Sequence, residues 1–274
     1  MSTAGPIGVF DSGFGGLTVL KEIERLLPEY DYLYLGDNAR SPYGSRSFET
    51  VYGYALEAVA WLFDRGCHLA ILACNTASAK ALRSIQQKDL ARMAPEKRVL
   101  GVIRPVTETV GAMSGSGHIG IFGTTGTVDS RSYMIEIERY FPQVQVTQEA
   151  CPIWVPLVET GEAVSEGADF FIRQHIDRLF NADPLIDTVV LGCTHYPLLE
   201  TKIMQYLPSG VRLVSQGAIV ARSLQDYLER HPEMEKRCSH DGTRRFFTSE
   251  KAPVFDRLAG FFHGTDVSSC EMHW

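Results

Sequence analysis

The sequence predicts an α/β protein made of two pseudo-symmetric, doubly wound domains, with mostly parallel sheets and an interdomain cleft. Three observations carry that expectation. Apolar runs of strand length alternate with amphipathic stretches of helical period along most of the 274 residues. This is the pattern of βαβ units whose sheets are covered on both faces. The run Ile7-Gly8-Val9-Phe10, with its turn Asp11-Ser12-Gly13-Phe14-Gly15-Gly16, has a counterpart 112 residues on, in Ile119-Gly120-Ile121-Phe122 and Gly123-Thr124-Thr125-Gly126-Thr127. The run Ile71-Leu72-Ala73-Cys74-Asn75-Thr76 is matched by Val190-Leu191-Gly192-Cys193-Thr194-His195, with the two cysteines 119 residues apart. Two landmarks at nearly one spacing, in one order, point to a duplicated half-molecule.

In chain order, strands are expected at 7–10, 32–35, 69–73, 99–103, 119–122, 144–147, 188–191 and 212–214. Leu17, Leu20, Ile23, Leu26 and Leu27 recur at the spacing of one helix face, as do Val51, Ala55, Ala58, Val59, Leu62 and Phe63. The first half closes near 101–105, and Ser114-Gly115-Ser116-Gly117 reads as a flexible turn. The first domain is therefore expected to hold 1–105 plus 209–274, and the second 106–208. A helical stretch at 217–230 and the run 245–263 are expected to pack back on the first. Residues 268–274 carry no periodic signal and are expected to be mobile.

Bulk properties exclude several classes. Hydrophobic residues at 45% and charged residues at 22% are ordinary for a globular protein. A net charge of −7 argues against a nucleic-acid surface. No run of membrane-spanning length is visible, and the opening residues lack the basic start and apolar core of a secretory signal. The six cysteines are scattered, which suits reduced thiols in the cytoplasm better than a disulfide framework. There is no C-x-x-C and no H-x-x-x-H. Cys67-His68 and Cys193-x-His195 lack spaced partners, so no metal site is expected.

In open parallel sheets, ligands bind outside the carboxyl ends of the strands. Asp11-Ser12-Gly13, Gly36-Asp37-Asn38, Cys74-Asn75-Thr76, Gly123-Thr124-Thr125 and Cys193-Thr194-His195 all follow strands, and would converge if the halves face each other. A free cysteine is usually a small buried hydrophobe. Cys74, however, precedes residues able to open a helix, where unpaired N–H groups stabilise a thiolate, and Cys193 has the same placement before Thr194. A disulfide oxidoreductase keeps its thiols close in sequence, and a cysteine hydrolase leaves Cys74 without a role. Two-base proton transfer uses both: one thiolate removes a proton from a carbon acid and the opposite thiol returns one to the other face.

Asp11 is either a turn residue or an orienter of Cys74. Glu159 is either a solvated helix residue or a polar group of the site. His195 is either a satisfied core histidine or an aid to Cys193. The glycine turns bring backbone N–H groups near a ligand. With Ser12, Asn75, Thr76, Thr124 and Thr194 they suit a small anion such as an amino acid, although some of these threonines will only cap helices. Gly115, Gly117 and Gly120 form a G-x-G-x-x-G that lies before and within a strand, so it is no dinucleotide fingerprint.

Together these residues resemble the glutamate racemase family of the aspartate/glutamate racemase superfamily. The resemblance is carried by Asp11-Ser12-Gly13 with Gly15-Gly16-Leu17-Thr18-Val19, Ser41-Pro42-Tyr43-Gly44, Ala73-Cys74-Asn75-Thr76-Ala77, and Gly101-Val102-Ile103 with Pro105. It continues through Gly123-Thr124 with Gly126-Thr127, Cys151-Pro152, Val155-Pro156-Leu157-Val158-Glu159 and Gly192-Cys193-Thr194-His195-Tyr196-Pro197-Leu198-Leu199. Thr248, Phe255 and Phe262-His263-Gly264 are similar to the family's closing pattern.

The resemblance implies two α/β domains around a cleft, and a cytoplasmic homodimer that interconverts L- and D-glutamate for peptidoglycan synthesis without pyridoxal phosphate or metal. It implies Cys74 and Cys193 as the acid/base pair, with Asp11, Glu159 and His195 supporting them. It implies substrate contacts from Asp11, Ser12, Pro42, Tyr43, Gly44, Asn75, Thr76, Thr124, Thr194 and His195. Racemisation of aspartate, or amino-acid binding without turnover, are the alternatives. Phe14 stands where a small aliphatic residue is expected, and Ser215-Gln216-Gly217 where an Asp-Ser pair is frequent. Either departure is expected to alter dimer packing or cleft closure. Family members activated by a nucleotide precursor carry an extra segment before the first motif, so that regulation is not expected here.

Overall fold

A computed structural model describes residues 4–274. Among them, the strands β1 Ile7–Asp11, β2 Tyr32–Gly36, β3 Leu69–Leu72, β4 Arg98–Gly101, β9 Arg244–Thr248 and β10 Ser269–Glu271 form one sheet, in the order β10-β9-β2-β1-β3-β4. The strands β5 His118–Gly123, β6 Gln145–Ala150, β7 Thr188–Gly192 and β8 Arg212–Val214 form the other, in the order β6-β5-β7-β8. Every pairing is parallel. The order β2-β1-β3-β4 is repeated as β6-β5-β7-β8, so the two halves share one winding.

β1, β3 and β7 are buried at every residue. Helices cover both faces of the sheets, so these strands read as continuous apolar runs rather than alternating ones. In register, Asp11 faces Gly36 across β1 and β2, and Gly123 faces Gly192 across β5 and β7. Strand ends are thus aligned, and the polar turns that follow share one edge of each sheet.

The helix Leu17–Leu26 buries Leu17, Leu20 and Ile23 and packs against the helix Gly217–Arg230. The helix Phe48–Asp64 starts at Ser47, whose hydroxyl accepts the Thr50 N–H, and buries Val51, Ala55, Ala58, Val59, Leu62 and Phe63.

Several expectations are corrected. β4 ends at Gly101, and Ile103 begins a helix, Ile103–Val110. Pro105 lies in its first turn, where a missing N–H has no intrahelical partner to lose. Arg212–Val214, assigned by sequence to the first domain, pairs with β7 in the second sheet. The chain returns to the first half only after Val214, because β8 completes the second winding as β4 completes the first.

The turn 114–117 is tied down. Asp187 accepts the N–H groups of Gly115 and Ser116 at 2.7 Å each and the Ser114 hydroxyl at 2.6 Å. Within residues 268–274, expected to be mobile, Ser269–Glu271 form β10 and Met272 is buried. A three-residue edge strand, paired only with β9, is too short to show a period. Phe14 is buried, stacked on Phe255 and Phe262 at 5.2 and 5.6 Å between centroids. No helix among the described residues is long and apolar enough to cross a membrane.

Candidate active site

Cys74 follows β3 and is the N-cap of the helix Asn75–Lys80. Its sulfur accepts the Ala77 N–H at 3.4 Å and donates to Ser12 Oγ at 3.5 Å. The thiol is 5% exposed. Burial and the nearby Asp11 push it up to about 12, against the hydrogen bonds it shares with Ser12 and Ala77. Asp11, at the end of β1, is fully buried, and burial raises its carboxyl despite His195 and the Gly13 and Gly16 N–H groups. Its Oδ2 accepts the Gly13 N–H at 2.9 Å, and its Oδ1 lies 3.5 Å from the Thr194 hydroxyl. Asp11 therefore touches both halves.

Cys193 follows β7 and is equally buried. Its surroundings correct the expectation of matching placement. A turn and the 3-10 segment Tyr196–Leu199 follow it, so no helix N-terminus caps the sulfur. His195 supplies the polar partner instead, with Nδ1 4.0 Å from Sγ and Nε2 2.9 Å from Glu159 Oε1. Burial alone would lower the imidazole. The Cys193 sulfur and the Glu159 carboxylate outweigh it and raise His195 from 6.5 to about 10. One thiol thus sits beside a carboxyl group and the other beside an imidazolium. The Phe262 ring packs edge-on against His195 at 5.1 Å, so Phe14 braces the imidazole through Phe262.

Other groups join the two halves around this space. Thr76 and Thr124 hydroxyls meet at 2.9 Å, and Thr124 caps the helix Thr125–Asp129. Thr18 donates to the Thr194 carbonyl at 2.9 Å. A Cβ at Gly15 would fall 2.1 Å from Thr194 Oγ1 and 2.5 Å from His195 Nδ1, so only glycine permits this approach. Gly44, in the loop after Ser41 and Pro42, accepts the Gly126 N–H at 2.7 Å. Tyr43 is buried, with its ring 6.3 Å from that of Phe10.

Tyr133 escapes sequence reasoning, and Asp37 enters it only as part of a strand-end turn. Tyr133 is fully buried and donates to Asn75 Oδ1 at 2.8 Å across the cleft. That bond fixes the amide and leaves Asn75 Nδ2 buried with no hydrogen-bond partner, which is a donor held ready for a ligand. Burial and the Cys193 sulfur both raise the Tyr133 hydroxyl. One phenol therefore senses Cys193 while bonding the residue next to Cys74. Asp37, fully buried after β2, takes the Tyr43 hydroxyl. Neither Tyr133 nor Asp37 carries a sequence signal beyond its position near a strand end or on a helix face.

Known proteins share this fold. A family model for Asp/Glu/Hydantoin racemase matches residues 7–224. A glutamate racemase of Geobacter metallireducens is 43% identical over 258 residues, covering 94% of this chain and 92% of the relative. The crystal structure of a glutamate racemase isoform of Bacillus anthracis superposes with a TM-score of 0.88 at 33% identity, covering 98% of this chain and 97% of that one. The glutamate racemase of Francisella tularensis, solved with D-glutamate, gives a TM-score of 0.86 at 27% identity over 99% and 97% of the two chains. With its two matched windings and a thiol at the same point of each, this chain belongs to the Asp/Glu/Hydantoin racemase family, among the glutamate racemases.

Proposed function

We propose that this chain interconverts L- and D-glutamate by two-base proton transfer at Cα, with Cys74 and Cys193 acting on opposite faces and no cofactor taking part. One observation carries the reading. Two buried thiols end equivalent strands of two halves with one winding, and Asp11, Thr194 and Tyr133 bridge the space they share.

The difficulty of the reaction is acidity, because the Cα proton lies beside a carboxylate whose charge opposes the carbanion. Asn75 Nδ2 and the hydroxyls of Ser12, Thr76, Thr124 and Thr194 are neutral donors that gain strength as charge builds on that carboxylate. They stabilise the enediolate more than the ground state. A thiolate on one side takes the Cα proton, and the thiol on the other side delivers one to the opposite face. The reverse reaction exchanges the roles. Asp11 lies beside Cys74 and His195 beside Cys193, each positioned to orient its sulfur and share its proton. Burial of both thiols keeps the transferred proton from reaching bulk water. D-glutamate made in this way would serve peptidoglycan synthesis.

In heavy water, wild-type protein is expected to exchange the Cα proton of glutamate while its circular-dichroism signal decays to zero. Cys74→Ala and Cys193→Ala are each expected to abolish the decay, since each direction needs both thiols. A single variant that racemises normally sinks the two-base assignment. Faster turnover of aspartate would move the substrate to that acid, and binding of glutamate without exchange would leave only a binding module.

A further inference from the structure

Asp37 holds a fully buried carboxylate at the cleft end of β2. Its Oδ2 takes the Tyr43 hydroxyl and Arg40 Nε, the latter at 2.6 Å. Its Oδ1 takes the Ser249 hydroxyl at 2.7 Å and the Trp274 indole N–H at 3.0 Å. The Arg40 guanidinium is held between two rings, 4.0 Å from the Tyr54 centroid and 3.8 Å from that of Trp274. Arg40 Nη1 also pairs with Glu57.

Tyr43 belongs to the loop 41–46, which is held at two further points, one by the second half and one by the helix Asn75–Lys80 of the first. The Gly44 carbonyl accepts the Gly126 N–H, and the Arg46 carbonyl accepts Lys80 Nζ at 2.6 Å. The loop is thus pinned at three places, and the first pin depends on a buried carboxylate held by Arg40 and, from the far end of the sequence, by Ser249 and Trp274.

We propose that Trp274 and Arg40 are positioning residues for the substrate loop 41–46: together they hold Asp37, and Asp37 holds Tyr43. The inference rests on the reading above, in which Pro42, Tyr43 and Gly44 contact the substrate. A buried carboxylate needs its charge compensated and its lone pairs filled. Removing the indole takes away one donor and one wall of the guanidinium sandwich, so Asp37 and Arg40 gain freedom and Tyr43 loses its fixed anchor. The loop contacts are made alike in ground and transition states, so loosening them weakens uniform binding: KM rises and kcat holds.

The test is Trp274→Ala, Trp274→Phe and Arg40→Lys, assayed by circular dichroism on both enantiomers, with thermal unfolding in parallel. For Trp274→Ala the expected result is a KM raised roughly fivefold to tenfold for L- and D-glutamate alike, with kcat within about twofold. Trp274→Phe keeps a ring over Arg40 and is expected to fall between wild type and alanine. Arg40→Lys keeps the charge but not the planar fork, and is expected to raise KM as well.

An unchanged KM in Trp274→Ala overturns the proposal, as does a loss confined to kcat or to the melting temperature. If Trp274→Ala does not fold, Trp274→Phe and Arg40→Lys decide by the same criterion. A wild type that racemises no glutamate would instead defeat the functional reading. Calorimetric Kd for D-glutamate then replaces KM: weakening by the same factor supports the clasp, and an unchanged Kd overturns it.

Discussion

Glu159→Gln keeps the shape of the group bonded to His195 Nε2 at 2.9 Å and removes its charge. The imidazole is 5% exposed and held at about 10, because the Cys193 sulfur and the Glu159 carboxylate together overcome the cost of burial. Removing the carboxylate takes away one of the two groups that raise the imidazole, so His195 of the variant titrates at a lower pH than in the wild type. The sign follows. A histidine raised in the folded state is protonated below that value, and the variant loses its imidazolium at a lower pH than the wild type, which loses it at about 10.

If Cys193 depends on that cation, kcat/KM of the variant is expected to fall with rising pH earlier than that of the wild type, by up to about tenfold for each pH unit the imidazole is lowered. The wild type should stay flat until pH approaches about 10. The stability held in the His195 contacts follows the same rule: it is fully present below 6.5, and in the wild type it is lost as pH rises through about 10. The assay is circular-dichroism progress curves from each enantiomer across pH 6 to 10. It carries its own control, because the enantiomers are equal in free energy and kcat/KM must be the same from either side at every pH. A Glu159→Gln profile that superimposes on wild type through pH 9 would refute the coupling.

Two other outcomes follow from particular bonds. Tyr133→Phe removes the donor that fixes Asn75 across the cleft. The amide can then turn its nitrogen away from the ligand, and KM for glutamate is expected to rise roughly fivefold, the size of one neutral hydrogen bond. An unchanged KM would remove Tyr133 from the site. Asp187 is held down to about 2 because the Ser114 and Thr188 hydroxyls and the Gly115 and Ser116 N–H groups outweigh the cost of burial. Its carboxylate is depressed in the folded state, so its stability is present above pH 4 and lost as pH falls through about 2. Discounted for solvent access, Asp187→Asn is expected to cost roughly 1 kcal/mol by denaturant unfolding at pH 7, with the deficit closing in acid. A deficit that persists at pH 2 would point to shape rather than charge.

Much of this protein was legible in its sequence because parallel strands covered on both faces must be apolar at nearly every position. β1, β3, β5 and β7 read as uninterrupted runs for that reason, and a thiol or carboxylate placed at the end of such a run stands out. The signal fades where burial is partial. β10 is the edge strand and β9 lies next to it, and exposed or half-buried residues interrupt both runs. β8 was seen as a strand but assigned to the wrong half, because three residues say nothing about which edge they join.

The sequence by itself determined the βαβ architecture, the repeated winding and the pair of cysteines, since each rests on local pattern and on order along the chain. The tertiary structure alone decided that the two thiols have unlike surroundings, with Asp11 and a helix start beside Cys74 and the His195–Glu159 pair beside Cys193. It alone brought Tyr133 to Asn75 and Trp274 to Asp37. Those contacts join residues 58 and 237 positions apart. A charge buried at such a distance is compensated through space, and periodicity along the chain carries no trace of it.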